Sequence, residues 1–149
     1  MALRPATRDD VSRIMQLLAE DQISDQRDDP DGDMTPYLAA FDAIAADPNN
    51  GLHVWEEDGE VVGCFQLTFL PGLLLKGGWR AQIEGVRVDR RFRGRKIGEQ
   101  MLAEAVRMSR AWPECRVLQL TTNKDRRDAH RFYRRLGFTA SHEGMKIKL

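Results

Sequence analysis

Two adjoining segments hold residue types that could do chemistry together. The first, Arg90-Arg91-Phe92-Arg93-Gly94-Arg95-Lys96-Ile97-Gly98, is a basic turn opening a segment of helical periodicity. Backbone N–H groups in the first turn of a helix have no intrahelical partner and carry partial positive charge, so a small-residue turn at that place receives phosphate. Glycines at 94 and 98 let the backbone approach an anion, and Arg93, Arg95 and Lys96 add full charges. The second segment, Ala81 to Asp89, leads directly into the first and reads as a strand with a fault. Its apolar residues should repeat every second position, yet Ala81 and Ile83 are odd while Val86 and Val88 are even. One extra residue at Glu84-Gly85 restores the pattern, and a glycine supplies the positive φ that a common bulge type needs. A strand buried on both faces would also lack alternation. A bulge leaves backbone groups unpaired and re-aims a side chain, which a ligand site on a strand requires, and it would put the carboxylate of Glu84 beside that site.

The elements that must position these segments alternate in period. Residues 3–5 suit a short strand, and Thr7 to Asp10 cap a helix whose apolar face is Val11, Ile14, Met15, Leu17 and Leu18. Residues 20–33, rich in Asp with Pro30 and Gly32, read as a solvated loop, and a second helix runs from Thr35 as N-cap, with Pro36 at its first position, to a stop at Pro48. Leu52 to Phe65 read as two strands joined at Asp58-Gly59, and Trp79 to Asp89 as a third. Residues 96–110 are helical, 116–120 a strand, and a last helix carrying Ala129, Phe132, Tyr133 and Leu136 ends at Gly137. Residues 144–149 are expected to form a closing strand. Interleaved helices and frequent hairpins give an α+β fold of three layers, with a mixed, largely antiparallel twisted sheet of about six to seven strands and about four helices.

Length and composition bound the function. The chain has 149 residues, 42% hydrophobic and 31% charged, with no repeat or linker, so residues 1–149 are read as a single domain without disordered or collagen-like character. Cys64 and Cys115 are too few for a disulfide framework or a zinc cage, and no His/Cys cluster has metal spacing, so no metal and a reducing cytoplasm are expected. The longest apolar stretch, 61–75, is interrupted by Gln66, Thr68, Pro71 and Gly72 and falls short of the roughly 20 residues that span a membrane. The 23 basic and 23 acidic residues balance, but residues 1–60 hold 4 basic against 15 acidic, leaving 19 against 8 in the remainder. Such a division suggests different partners at the two ends.

The basic turn resembles the phosphate-binding signature of the GCN5-related N-acetyltransferases, which reads Arg or Gln, two residues, Gly, one residue, Gly or Ala. Arg93-Gly94-Arg95-Lys96-Ile97-Gly98 follows it, with Lys96 where the middle glycine is usual. The segment Asp128 to Phe138 resembles the family's C-terminal Ala-x-x-x-Tyr-x-x-x-Gly-Phe pattern, and element order agrees over essentially the whole chain. The resemblance implies an acyl-CoA acyltransferase fold and acetyl-CoA as co-substrate, with the pantetheine arm and acetyl carbonyl on Gly85, Val86, Arg87 and Val88 and the pyrophosphate on residues 93–98. It implies Tyr133 as the acid near the sulfur. The family often has Asn seven residues before that tyrosine; Arg126 stands there, so Asn123 is the candidate for its role. Transfer from a thioester to an amine needs an uncharged nucleophile, a polarised carbonyl and a proton for the departing thiolate. Glu84 is the choice of general base, its alternative being a carboxylate ion-paired with one of the nearby arginines; His53 and His130 are weaker choices.

The implied activity is N-acetylation of a primary amine, of a small molecule or an exposed peptide, by direct transfer in a ternary complex. Two alternatives stand beside it: a nucleic-acid-binding or regulatory module using residues 87–96 and 126–135, and a catalytically silent CoA-binding sensor. Long nucleic acid is disfavoured because the basic run lacks stacking aromatics beyond Phe92 and the first half is acidic. Asp128 to Tyr133 also resembles the matching stretch of aminoalkylphosphonate N-acetyltransferases. In the family the first two helices and their loop border the acceptor, and here that loop holds Asp21, Asp25, Asp28, Asp29, Asp31 and Asp33, which favours a cationic amine. Phe69, Leu70 and Leu73 to Leu75, expected to be exposed, suit a homodimer contact or a cover over the site.

Overall fold

A computed structural model describes residues 2–20 and 27–149, which fall into two compact units, Met1–Gln119 and Leu120–Leu149. The first contains a five-stranded sheet in the order β1 (Leu3–Pro5), β2 (Asn50–Glu57), β3 (Glu60–Leu70), β4 (Trp79–Val88), β5 (Cys115–Gln119). Neighbours are antiparallel except β4 and β5, which run parallel. The helices of this unit are α1 (Val11–Ala19), α2 (Thr35–Ala46), the short α3 (Leu74–Gly77) and α4 (Ile97–Ala111), the last making the crossover between the parallel strands. Helix α5 (Arg127–Arg135) belongs to the second unit.

Local chemistry accounts for most boundaries. Asp58 and Gly59 both have positive φ, the conformation a two-residue hairpin turn demands. At the entrance to α1, Asp10 Oδ2 accepts from Thr7 N at 2.7 Å and from Thr7 Oγ1 at 3.1 Å. Helix α2 starts at Thr35, one residue earlier than expected, with Met34 as its N-cap. Helix α5 ends as its glycine predicts: Phe138 N donates to Tyr133 O and Gly137 N to Arg134 O, with Gly137 at φ 98°.

The core has two sides. Ile14 and Leu17 of α1 pack with Val54, Val61 and Cys64 on one face of the sheet. The residues that alternate with these, Phe65, Leu67, Phe69, Ala81 and Ile83, are buried, as are Met101, Leu102 and Ala105 of α4. Phe69 departs from the expectation of exposure; it is 8% exposed, stacked on Trp112 at 4.0 Å between ring centroids. Only the tip of the β3–β4 hairpin is bare, with Leu73 and Leu74 at 95% and 79% exposure.

The closing strand is not formed. Met145, Ile147 and Leu149 alternate with lysines, but residues 144–149 pair with no strand among the described residues and all three apolar side chains are exposed, so the sheet there has five strands. A two-residue period says which side chains would share a face. It supplies no partner ladder, and an unpaired apolar segment of that length has little to gain from extension.

One buried carboxylate ties this architecture to the basic turn. Asp89, 4% exposed, directly follows β4 and accepts from Arg91 N at 2.9 Å, from the Arg91 guanidinium at 2.7 Å and from Arg13 Nη2 at 2.5 Å. Arg13 also donates to Val61 O, and Arg91 pairs with Glu60, so α1, β3 and the turn share one network. The Arg91 guanidinium holds the Asp89 carboxyl well below the usual carboxylate range despite burial, helped by the Arg91 N–H and Arg13. Because the folded-state pKa is depressed, this stabilisation is complete above the unfolded value of about 4 and is lost as pH falls through the folded value. Asp89→Asn is therefore expected to cost about 3 kcal/mol at neutral pH. In urea titrations the gap from wild type narrows below pH 4; a gap that stays constant down to pH 2 contradicts the assignment.

Candidate functional site

The parity fault in β4 is a bulge. Cys64 pairs with Arg87 and Gln66 with Glu84, so the single residue Phe65 lies opposite two, Gly85 and Val86. Gly85 has φ 62°, a conformation that favours glycine, and a Cβ added there would stand 3.2 Å from Leu18 Cδ2, so that side chain would have to shift to admit one. Beneath the bulge the Cys64 thiol donates to Gly85 O at 3.5 Å, and burial pushes that thiol up to about 12, which leaves it an inert packing group.

On its other edge β4 loses its neighbour at the same place. The parallel ladder with β5 ends at Gln82–Gln119, so residues 83–88 have no partner in β5. A bulge and a ladder end therefore coincide: Gly85 and Val86 fall out of the β3 register, and the backbone of 85–88 has no β5 partner on the other edge. Glu84 sits at the start of this stretch, exposed, with no ion pair among the described residues, so the arginine-paired alternative finds no partner there.

The basic turn comes at once after the strand. A 3-10 turn, Arg90–Phe92, is capped by Asp89, and the chain then passes through Gly94 at φ 84° and Lys96 at φ 60° into the first turn of α4. Lys96 is the helix N-cap in the left-handed region, and that conformation explains why a glycine suits its position. A Cβ at Gly94 would meet nothing within 4 Å, so the backbone there is open to close approach. Arg93, Arg95 and Lys96 are exposed, and the Arg95 guanidinium lies 4.8 Å from the Phe92 ring centroid. Ile97, buried, anchors the helix start.

The predicted residues divide between the units. Glu84, Gly85, Val86, Arg87, Val88 and Arg93 to Gly98 succeed one another through the bulge and turn of the first; Asn123 and Tyr133 belong to the second. In the second unit, His130 Nε2 lies 3.0 Å from Asn123 O, and Tyr133 packs edge-on against Phe132 and Phe138. His53 is removed from the site: it stacks on Phe65 at 5.1 Å, on the sheet face opposite Glu84, and burial pushes its pKa down. It lines a groove of about 400 Å³ with Leu67, Phe69, Arg107 and Trp112. Of the acidic loop, Asp21 and Asp25 lie outside the described residues. Asp29 and Asp33 accept backbone N–H bonds from Asp31 and Thr35, and Asp28 pairs with Arg27, so this part of the acidic charge also shapes turns.

Comparison with known sequences gives the same reading. The profile of the Acetyltransferase (GNAT) family matches residues 12–138. The chain belongs to the GNAT family. An aminoalkylphosphonate N-acetyltransferase of Salmonella typhimurium is 36% identical over 143 residues, 94% of this chain and 86% of that protein, and the chain is an N-acetyltransferase of this family. Among solved structures, one described as a transcriptional regulator from Bacillus halodurans C-125 is 41% identical with a TM-score of 0.90, covering 99% of this chain and 98% of its own. A putative acetyltransferase from Agrobacterium tumefaciens is 26% identical with a TM-score of 0.86 over 100% of both chains. The mixed sheet and its flanking helices are thus the GNAT fold.

The left-handed Lys96 gives a direct test of the turn's geometry. Lys96→Gly is expected to raise stability by about 0.5–1 kcal/mol in thermal denaturation, since glycine carries no Cβ penalty there. Lys96→Ala, which removes the same charge and keeps the Cβ, is expected to give no such gain; equal gains from both would trace the effect to charge.

Proposed function

We propose that this GNAT chain moves an acetyl group from acetyl-CoA to a primary amine, of a small molecule or an exposed peptide, by direct transfer within a ternary complex. The observation that carries this reading is the coincidence on β4: the bulge at Gly85-Val86 and the end of the β4–β5 ladder at Gln82 fall together, with the basic turn immediately downstream. The residues present fit the co-substrate. Arg93, Arg95, Lys96 and the N–H groups at the start of α4 suit a pyrophosphate, and the backbone of Gly85 to Val88 suits a pantetheine arm and a thioester carbonyl. Acetyl-CoA supplies the activated acyl group. Glu84 takes a proton from the ammonium, directly or through a water, and Tyr133 gives one to the departing thiolate. Asn123 is assigned to cofactor contact in the second unit. The two free thiols fit a reducing cytoplasm. The relative from Salmonella makes aminoalkylphosphonates, beside cationic amines and basic peptides, the first acceptors to assay.

A second reading has one observation in its favour. The Bacillus halodurans structure is described as a regulator, and a module of that kind would bind duplex DNA with steep salt dependence. A gel shift with random duplex at moderate salt separates the two.

Calorimetry is expected to show acetyl-CoA binding, and no heat at millimolar ligand rejects the reading. Tyr133→Phe is expected to lower kcat tenfold or more while changing the acetyl-CoA Kd less than threefold. Unchanged kcat removes the acid role from Tyr133.

A further inference from the structure

Beyond the bulge, β4 carries a stripe of charge. Arg80, Gln82 and Glu84 lie at two-residue spacing on one face, while the intervening Ala81 and Ile83 are 0% and 1% exposed on the other. Their cross-strand partners make the same face polar: Gln66 lies opposite Glu84, Thr68 and Gln119 opposite Gln82, and Asn50 opposite Thr68. Hydrogen bonds knit these groups together. Gln119 Nε2 donates to Gln82 Oε1 at 2.8 Å, and Asn50 Oδ1 accepts from Gln66 Nε2 and Thr68 Oγ1, both at 3.0 Å. Among the described residues of this patch, the full charges are a carboxylate beside the bulge, Glu84, and a guanidinium at the other end, Arg80. Neither makes an ion pair among the described residues, although their Cα atoms are only about 14 Å apart along the strand.

A half-exposed sheet face of this kind is built to hold something polar, because each amide already has a fixed partner and the two charges do not. An acceptor lying along it would meet negative charge at the amine end and positive charge at the far end. Its ammonium faces Glu84, where the proton must be removed. A guanidinium facing the far end pairs well with the planar or tetrahedral oxygens of an anion. A second ammonium at that end would face Arg80 and be repelled.

We propose that this face selects an acceptor carrying an anionic group, a carboxylate, phosphate or phosphonate, beside its primary amine, and that Arg80, with the amide of Gln82 next to it, is the residue that reads the anion. The inference rests on the acetyl-transfer reading and adds the acceptor class to it. An acidic loop that attracts cations is compatible, since such an acceptor still presents an ammonium.

Initial rates with aminomethylphosphonate, β-alanine, propylamine and 1,3-diaminopropane test it, together with acetyl-CoA binding. The expected result is a kcat/KM for at least one of the two anionic amines tenfold or more above propylamine and diaminopropane; which of the two leads separates a phosphonate from a carboxylate reader. Arg80→Gln is expected to remove most of that preference by raising KM for the anionic amine, with Arg80→Lys restoring part of it. Equal or better use of propylamine or diaminopropane by the wild type overturns the inference without any variant. A loss in Arg80→Gln that is uniform across all four amines also overturns it, since it assigns Arg80 a structural role. Acetyl-CoA binding with none of the four acetylated overturns this inference and leaves the cofactor reading standing, whereas failure to bind acetyl-CoA overturns both.

Discussion

The whole site hangs on one residue in excess on β4. Between Glu84 and Arg87 the strand has one more residue than β3 opposite it, and a left-handed Gly85 absorbs the difference. Regular pairing would bury the backbone groups of 85–88 in ladders on both edges. The bulge disturbs one edge and the end of the β5 ladder opens the other, so a strand in the middle of the sheet order acquires the unpaired backbone of an edge. The same extra residue changes which side chains face which way, which is why the apolar residues switch parity there.

The basic turn must be held in register with the bulge, and Asp89 does this. Its carboxylate accepts bonds from the backbone and guanidinium of Arg91 and from Arg13 of α1, and Asp89 N donates to Val62 O. A further ion pair, Glu20 with Arg90, joins the C-terminal end of α1 to the same turn. The charge division of the chain therefore has two uses. Glu20 and Glu60 from the acidic part pair with Arg90 and Arg91 from the basic part to fix the turn, and the side chains of Arg93, Arg95 and Lys96 are exposed around its glycines.

Much of this is legible in the sequence, because local backbone demands leave local traces. The bulge shows as a parity switch at Glu84-Gly85, the hairpin as Asp58-Gly59, and the last helix end as Gly137. Non-local features leave no such trace. Residues 144–149 have the alternation of a strand without a ladder to join, and Phe69 stands in an apolar run whose burial depends on Trp112, 43 positions away. Lys96 departs from a glycine pattern in the sequence, while its left-handed φ shows the backbone has kept the glycine conformation with a side chain added. The polar stripe of Arg80, Gln82 and Glu84 is silent in the sequence because its meaning lies in Gln66, Thr68 and Gln119 on neighbouring strands.

The bulged stretch and the basic turn, taken together, are proposed to form one continuous backbone receptor for a CoA ester. Amide hydrogen exchange measured residue by residue, with and without saturating CoA, tests this most directly. Such a receptor predicts new protection concentrated at residues 85–88 and 94–98. Protection absent from both stretches and found instead along the groove of His53, Arg107 and Trp112 would contradict it.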